Sequence, residues 1–303
     1  MNDPHTLIVR APAKINLHLG VGGVEDDGFH PLVTVFQAIG LYDDVAVSRS
    51  AGWRLSLAGA DHIDPGTVPV DEQNIVARAA QLLTAHHQRP TPANVTINKS
   101  IPVAGGMAGG SADAAAALVA LDRLWGLQTS DRDLLELAAE LGSDVPFALL
   151  GGTALGTGRG HLVEPVEDDG SWWWVAVPSA EGLSTPAVYR HFDKLFPQAG
   201  APAGAEAVLA ALATRDPAVL ARALHNDLQA AALDLRPDLA TLIETGEAAG
   251  ALRGIVSGSG PTCVFLTAGA DDARLLAQDF RDRGHPVALP APGPVAGTVV
   301  VDY

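Results

Sequence analysis

Alternation of apolar and polar positions predicts β-strands through most of the first hundred residues. β-Branched side chains recur in these stretches, and turn-forming residues separate them. The predicted strands cover residues 6–11, 13–21, 32–40, 44–50, 53–59 and 93–100. One helix, predicted over 74–87, interrupts this series of strands.

The pattern changes to helical periodicity after a glycine-rich stretch near residue 105. This stretch opens a predicted helix over about 112–124, which Gly126 ends, and Ser130 caps a second helix with the sequence "DRDLLELAAELG". A third, short helix is predicted after "SDVP", because proline suits the first turn of a helix, and Gly151 lies beyond its end.

The second half of the chain combines an apolar strand with a long alanine-rich segment. The strand is predicted at "WWWVAVP", the segment is predicted to be helical through about 205–250, and mixed strands and helices follow. We therefore predict an α+β protein with two lobes that meet near residues 150–170. The expected boundaries are 1–160 for the first domain and 161–303 for the second.

Composition and charge narrow the range of partners. The formal net charge is −16, so a generally basic surface for nucleic acid is absent, and an anionic ligand would need local positive charge. No apolar run reaches the roughly 18 residues of a membrane helix, and no signal-like segment is found, which predicts a cytoplasmic protein without a membrane partner. The single cysteine, Cys263, lies in an apolar run and is interpreted as a buried side chain.

Lysine is rare in this chain, which makes its positions informative. Of 19 basic residues, only Lys14, Lys99 and Lys194 are lysines. Lys14 lies in a motif described below, and Lys99 comes just before another. A compact ammonium group rather than a planar guanidinium is favoured at those two positions.

The stretch "IPVAGGMAGGSADAAAAL" at 101–118 is typical of an anion-binding loop. Small side chains let a phosphate approach the backbone, and the N–H groups at the start of the following helix point towards it. The spacing matches neither a Walker loop nor the dinucleotide fingerprint G-x-G-x-x-G. A flexible turn or tight helix packing is the alternative interpretation of the glycines.

Three stretches together resemble the signature motifs of one enzyme superfamily. They are "APAKINLHLGV" at 11–21, "PVAGGMAGGSADAA" at 102–115 and "SGSGPTCVFL" at 257–266. In order and spacing they resemble the GHMP small-molecule kinases, which include galactokinase, homoserine kinase, mevalonate kinase and phosphomevalonate kinase. The resemblance implies a two-lobed α+β kinase fold, an ATP-binding first domain, ATP and Mg²⁺ as cofactors, and phosphoryl transfer to an alcohol.

The resemblance also implies which residues contact ATP. They are Asn74, Lys99, Pro102, Val103, Ala104, Gly105, Gly106, Met107, Ala108, Gly109, Gly110, Ser111 and Ala112. Ser111 is in addition a candidate neighbour of the magnesium ion, whose ligands are otherwise open. Two alternatives need no ligand: Lys99 as a solvated charge at a strand end, and Asn74 as a helix cap. A bulky residue at Gly106 or Gly109 is expected to weaken ATP binding more than acceptor binding.

The same resemblance assigns catalysis to Asp144 and Lys14. Asp144 is the candidate general base for the acceptor hydroxyl, and Lys14 would orient it and offset developing charge. Asn16 lies two residues further along the predicted strand and therefore on the same face, where it would bind the substrate. Asp144 in "SDVP" also has the position of a helix cap, and both roles are compatible.

Three shorter motifs, "DGFH" at 27–30, "NIVARA" at 74–79 and "GSDVPF" at 142–147, resemble the branch of the superfamily that acts on a cytidine diphosphate-linked methylerythritol. This implies that His30 hydrogen-bonds the cytosine, that Phe29 and Tyr189 stack on its two faces, and that Thr185 lies nearby. Phe29 replaces the tyrosine usual in that branch, so the ring is kept and its hydroxyl is lost.

Two other functions remain compatible with the sequence. One is a GHMP kinase of the homoserine or mevalonate type, which would not require "DGFH". The other is a sensor that binds metabolites on the same fold without turnover, although the presence of both Lys14 and Asp144 favours an enzyme. The oligomeric state is left open.

Overall fold

The structure, a computed structural model, describes residues 6–103, 105–179 and 181–301. The strands are β1 (Leu7–Val21), β2 (Leu32–Arg49), β3 (Arg54–Gly59), β4 (Ala93–Lys99), β5 (Thr153–Thr157), β6 (Leu162–Val166), β7 (Trp172–Val177), β8 (His225–Asn226), β9 (Arg253–Val256), β10 (Cys263–Thr267), β11 (Leu289–Gly293) and β12 (Val299–Val301).

The helices confirm the predicted periodic segments in the first half of the chain. They are α1 (Ile75–His87), α2 (Gly109–Trp125), α3 (Asp131–Leu141), α4 (Val145–Leu150), α5 (Thr185–Leu195), α6 (Glu206–Leu212), α7 (Pro217–Ala223), α8 (Gln229–Leu235), α9 (Asp238–Ala248) and α10 (Ala270–Asp282). The Ser130 side chain caps α3, and Gly126 and Gly151 end α2 and α4 as predicted. Helix α2 begins three residues earlier than expected, at Gly109.

The prediction of separate strands over 6–11 and 13–21, and over 32–40 and 44–50, was wrong. β1 and β2 are each continuous and pair antiparallel along their length. The register shifts between Pro12, which pairs with Tyr42, and Ala13, which pairs with Ile39. The extra residues of β2 at this point form a bulge, so the turn-forming proline and glycine that suggested a break are accommodated within the ladder.

The larger sheet has the order β12-β1-β2-β4-β3, and β5 and β8 add to β2 and β1. Helix α2 packs on β1 and β2 and contacts α1, α3 and α4. Its run of alanines at 114–117 is fully buried. Because alanine is short, the helix backbone approaches its neighbours closely, which places the glycine-rich start of α2 against the middle of β1.

The smaller sheet has the order β11-β7-β10-β9 and is joined to the larger one by buried polar contacts. The Nε1–H of Trp174 on β7 donates to Oε1 of Gln37 on β2 over 2.8 Å, and the Gln37 amide donates to Asp168 over 2.9 Å. A buried polar network whose members are paired in this way fixes one arrangement of the two sheets.

The segment 205–250 differs from the prediction of continuous helix. Helices α6 to α9 are interrupted by His225 and Asn226, which form β8 and pair in parallel with His18 and Leu19. Strands β6 and β12 also lie beyond residue 160 and join the larger sheet. The division of the chain into domains 1–160 and 161–303 stays a prediction.

Candidate active site

A cleft of about 1040 Å³ is lined by both glycine-rich loops. Residues 105, 106, 108–111 and 258–260 contribute to its walls, together with Lys14 on β1 and Asp144 at the start of α4. The structure therefore brings together the segments that the sequence analysis assigned to one site.

The glycine loop before α2 is held by the elements around it. The N–H of Lys14 donates to the Met107 carbonyl over 3.1 Å, and the Ser257 hydroxyl donates to the Gly106 carbonyl over 3.1 Å. A Cβ atom at Gly106 would collide with the Ser257 carbonyl oxygen, and the φ of Gly106 is +76°. Glycine is therefore required here, because only a bare backbone allows the two loops to touch.

Free backbone donors point into the cleft at the start of α2. The N–H of Ala112 bonds to the carbonyl of Ala108, which closes the first turn of the helix. The N–H groups of Gly109, Gly110 and Ser111 precede it and have no carbonyl within the helix to bond. With the positive end of the helix dipole, they form the anion cradle that the glycines predict.

The other predicted ATP contacts are divided between the cleft and its surroundings. Pro102 and Val103 line a second, smaller cavity, described below. The side chains of Met107 and Ala112 are fully buried in the core. The Met107 carbonyl accepts the N–H of Lys14, and the N–H of Ala112 bonds to the Ala108 carbonyl within α2. Ala104 lies outside the described residues.

Lys99 is buried in an ion cluster, so its interpretation as a solvated strand-end charge was wrong. Its Nζ atom lies 2.6 Å from Asp43 Oδ2 and 2.7 Å from Asp113 Oδ2. The second carboxylate oxygen of Asp43 accepts the N–H groups of Ser100 and Ile101. The cluster thus ties β2, the residues just before the glycine loop, and the first turns of α2 to one another.

The charges of this cluster do not balance, because one ammonium faces two carboxylates. Burial, and after it repulsion from Asp43, raises the pKa of the Asp113 carboxyl well above its usual value. Burial lowers the pKa of Lys99, but the attraction of Asp113 and Asp43 outweighs it, so the net direction is upward. Asp113 Oδ1 is buried without a hydrogen-bond partner among the described residues.

The second cavity, of about 280 Å³, lies beside this cluster. Asn74, Lys99, Asp113, Gly109 and Gly110 are among the residues that line it. Asn74 caps α1, as the alternative interpretation predicted: its Oδ1 accepts the N–H of Val76, and its Nδ2 donates to the Pro69 carbonyl. Asn74 and Lys99, both predicted to contact ATP, therefore line one cavity next to the cradle.

The candidate catalytic pair lies in the large cleft. Lys14 Nζ is 3.7 Å from Asp144 Oδ2 and donates to Asn16 Oδ1 over 2.8 Å. The Asn16 amide donates in turn to Thr34. Lys14 and Asn16 share a face of β1, as the two-residue period predicted, and Asn16 holds the ammonium as well as lining the cleft.

Asp144 occupies the N-cap position of α4, but its side chain does not cap the helix. Its φ and ψ angles are −89° and −10°, and within the described residues its carboxylate accepts no hydrogen bond from the helix. It faces Lys14 and remains one-third exposed. The helix start therefore positions the aspartate while leaving its oxygens available to a ligand.

His30 and Tyr189 form one end of the cleft. Their rings lie 5.1 Å apart, and His30 Nδ1 is 2.8 Å from the Gly22 carbonyl oxygen. Burial, and after it the nearby Asp144 carboxylate, raises the pKa of the Tyr189 phenol to about 12. The phenol is therefore protonated at neutral pH and is a hydrogen-bond donor.

Phe29 and Thr185 lie close to this end. The Phe29 ring is 51% exposed, and Thr185 begins α5 with its hydroxyl 2.8 Å from that of Ser259. Both residues line the cleft. The predicted residues of the base site are therefore gathered in one place.

Several residues of the cleft were not singled out by the sequence. Arg159 and Arg190 add positive charge to its lining, and Thr34 adds a hydroxyl. Asn226 lies behind the 257–261 loop and donates to the carbonyls of Val256 and Gly258 over 2.8 Å each. No motif marks these positions, because their partners are far away in the chain.

Comparison with known families and proteins agrees with this geometry. The GHMP kinases N terminal domain matches residues 74–152, and the GHMP kinases C terminal domain matches residues 208–285. The chain belongs to the GHMP kinase family.

A protein of Nocardioides sp. named 4-diphosphocytidyl-2-C-methyl-D-erythritol kinase is 66% identical over 97% of this chain and 100% of its own length. One of the same name from Thermobifida fusca is 52% identical over 99% and 100%.

Solved structures extend the comparison of this GHMP kinase. A crystal structure of a 4-(cytidine 5'-diphospho)-2C-methyl-D-erythritol kinase superposes with a TM-score of 0.78 at 31% identity, covering 95% of this chain and 100% of that one. The mevalonate kinase of L. major has a TM-score of 0.73 at 16% identity, covering 95% and 96%, which shows a common fold. The first of these structures therefore shares both sequence and fold with this chain over nearly its whole length.

Among the described residues, no helix combines the length and apolar character needed to cross a bilayer.

Proposed function

We propose that this kinase transfers the γ-phosphoryl group of ATP to the 2-hydroxyl of 4-diphosphocytidyl-2-C-methyl-D-erythritol, in the non-mevalonate pathway to isoprenoid precursors. The observation that carries the proposal is the position of the Lys14–Asp144 pair. It lies in one cleft with the anion cradle at the start of α2 and with the aromatic end formed by His30 and Tyr189. The names of the relatives support the same substrate.

The catalytic pair acts on the acceptor hydroxyl. Asp144 accepts its proton as the oxygen forms a bond to the γ-phosphorus, and the bond from phosphorus to the bridging oxygen of ADP breaks. Lys14, held by Asn16, orients the carboxylate and offsets negative charge that develops on the transferring group. The free N–H groups at the start of α2 hold the phosphates in place.

Magnesium fits the oxygen donors of the cleft. The Ser111 hydroxyl lines it at the start of α2, and Mg²⁺ in kinases is held by one or two protein oxygens together with substrate phosphates and water. No cluster of three or more acidic, histidine or cysteine side chains suited to a metal occurs in the described part of the chain, which agrees with a metal that arrives with ATP. When bound, the ion neutralises charge on the phosphates.

The second cavity is the proposed place of the adenosine. It adjoins the cradle through Gly109 and Gly110, which line both cavities. A nucleotide lying across these two glycines would direct its phosphates towards Lys14. The proposal also assigns the segment 1–160 as the ATP-binding domain.

His30 supplies a way to read cytosine. In the tautomer whose Nδ1–H donates to the Gly22 carbonyl and whose Nε2 carries no proton, Nε2 is an acceptor, and Asp193 Oδ1, which lies 3.5 Å from it, is a second acceptor at this end of the cleft. Cytosine presents an amino group to such an acceptor, whereas uracil presents a carbonyl oxygen. The wild-type protein is therefore expected to distinguish cytidine from uridine forms of the acceptor.

The test compares the cytidine acceptor, its uridine analogue and base-free methylerythritol phosphate, with the wild-type protein and His30→Ala. The wild type should prefer the cytidine form in both kcat and KM, because the remote base orients the reacting hydroxyl. His30→Ala should lose roughly 1 to 3 kcal/mol of discrimination between the two bases.

Other outcomes would point to the alternatives. Indifference of the wild type to the base, with turnover of homoserine or mevalonate, would leave a GHMP kinase but refute this substrate. Binding of ATP and of the cytidine compound without turnover of any acceptor would favour a sensor.

The cradle can be tested separately at Gly110. A Cβ at this exposed helical position meets no atom within 4 Å, so a leucine enters the open cleft without a clash in the protein. Gly110→Leu is expected to raise KM for ATP about tenfold or more, equivalent to about 1.4 kcal/mol, and to leave acceptor KM nearly unchanged. Gly106 is a poorer choice than the sequence suggested, because its Cβ would disturb the 257–261 loop on the acceptor side as well.

Gly110→Ala is the matched control, since it adds a side chain too short to fill the cleft. Melting temperatures should stay at the wild-type value or rise in both variants, because glycine is a poor helix former. An equal rise in KM for ATP and acceptor would contradict the assignment of this loop to the nucleotide.

A further inference from the structure

One face of the Phe29 ring is covered by a cation. The Arg159 guanidinium carbon lies 3.6 Å from the centroid of the Phe29 ring, although the two residues are far apart in the chain. Phe29 is half exposed, and Arg159 lines the cleft. An exposed aromatic side chain on a turn would otherwise be free to change rotamer, so this contact restricts it.

Asp27 fixes both members of this pair. Its Oδ1 accepts the N–H of Phe29 over 2.9 Å, and its Oδ2 accepts Arg159 Nη2 over 2.6 Å. The backbone N–H of Phe29, followed by Arg159, lowers the pKa of the Asp27 carboxyl, so it is ionised at neutral pH. One carboxylate thus holds the turn that carries the ring and the cation that lies on it.

The turn that carries Arg159 is itself well defined. Gly158 and Gly160 flank the arginine with φ values of +66° and +86°, in the hairpin between β5 and β6. The Gly158 carbonyl accepts the N–H of Leu32 at the start of β2. The cation is therefore presented by a turn that is anchored to the strand following the Phe29 turn.

We propose that Arg159 is a positioning residue for the substrate base, which covers one face of Phe29 so that the other face is presented to cytosine. This inference rests on the proposed function, because it needs a base-bearing acceptor. The stack would run from guanidinium to phenyl ring to base. Since Phe29 is held before the substrate arrives, less side-chain freedom is lost on binding.

The planar shape of the guanidinium matters as much as its charge in this arrangement. Arginine lies flat on a ring while it donates to a carboxylate in its own plane, and the ammonium of lysine cannot do both. Arg159→Lys keeps the charge next to the substrate diphosphate, and Arg159→Ala removes both features. Comparing these two variants therefore separates the effect of stacking on Phe29 from the effect of attracting the anionic substrate.

The experiment measures kinetics for both variants with the cytidine acceptor and with base-free methylerythritol phosphate. Both variants should raise KM for the cytidine acceptor roughly three- to tenfold, with kcat and KM for ATP close to wild type. The kinetics with the base-free acceptor should not change. Arg132→Ala, which removes an exposed ion pair with Glu136 on α3, is the control and should behave as wild type.

A binding measurement gives a second readout that needs no turnover. Titration calorimetry with CDP should show the same three- to tenfold loss of affinity in both variants. Wild-type affinity in Arg159→Lys would overturn the proposal, since charge alone would then account for the role. An equal effect on the base-free acceptor would also overturn it.

The outcome is separable from the proposed function. If the wild type prefers the cytidine acceptor and the Arg159 variants keep that preference and its KM, only the role of Arg159 fails. If the wild type shows no preference for the base, the proposed substrate itself fails.

Discussion

Asp144→Asn is expected to lower kcat by roughly 10² to 10⁴-fold while ATP binding and stability stay close to wild type. Asparagine keeps the size of the side chain but cannot accept the hydroxyl proton. The stability should change little, because within the described residues the Asp144 side chain makes no capping bond to α4 and its contact with Lys14 is partly exposed. The measurements are steady-state kinetics, ATP titration and thermal unfolding.

Asp133→Asn is a suitable control for this variant. Asp133 lies in the first turn of α3 and accepts a hydrogen bond from Ser130, so the substitution also changes a carboxylate at a helix start, away from the cleft. Its kcat should match wild type. If Asp144→Asn stays fully active and only melts earlier, then Asp144 is structural and the proposed base is wrong.

Helix boundaries could be predicted from the sequence because their signals are local. Ser130 caps α3, and Gly126 and Gly151 end α2 and α4, each through bonds to residues only three or four positions away. The continuity of β1 could not be predicted in the same way. Proline has no N–H to donate to a sheet, so Pro12 suggested the end of a strand. Only the pairing with β2 shows that a bulge accommodates it.

The site shows the same division between local and distant signals. The glycine loop, Lys14 and Asp144 carry motifs, and the structure places them in one cleft. By itself, "SDVP" specifies the N-cap position of Asp144 but not which partner the carboxylate faces, and Lys14 was expected as that partner only from the resemblance to the kinase superfamily. Only the fold brings β1, and with it Lys14, within 3.7 Å.

Residues without a motif depend on partners remote in sequence. Arg159 contacts Asp27 across 132 residues, and Lys99 contacts Asp43 across 56. A single sequence gives no sign of such pairs. The alternative interpretation of Lys99, as a solvated charge, followed from its charge alone. A buried lysine requires anionic partners, and these cannot be identified before the fold is known.

Lys99→Met is expected to lower the free energy of unfolding by roughly 3 to 5 kcal/mol, because it leaves two buried carboxylates without a cation. Methionine is close to lysine in length and flexible enough to fill the same space. Lys194→Met, at an exposed position in the last turn of α5, is the control and should change stability by no more than about 0.5 kcal/mol. Urea unfolding at neutral pH measures both. A loss as small as that of the control would mean that the buried cluster contributes little.

Asp113→Asn tests the charge imbalance of the same cluster through pH. The fold raises the pKa of the Asp113 carboxyl. The carboxyl therefore contributes most to the stability of the folded state below its pKa in the unfolded chain, about 3.9. This contribution is lost as the pH rises through the pKa that the carboxyl has in the folded state. Asparagine does not titrate, so Asp113→Asn should gain stability relative to wild type as the pH increases from about 4 towards 8. Combined with Lys99→Met, it should also recover part of the lost stability, because one buried carboxylate then remains instead of two. Urea unfolding across this pH range decides the matter: a constant difference between Asp113→Asn and wild type would show that the fold does not raise the pKa of Asp113 and that Lys99 compensates both carboxylates.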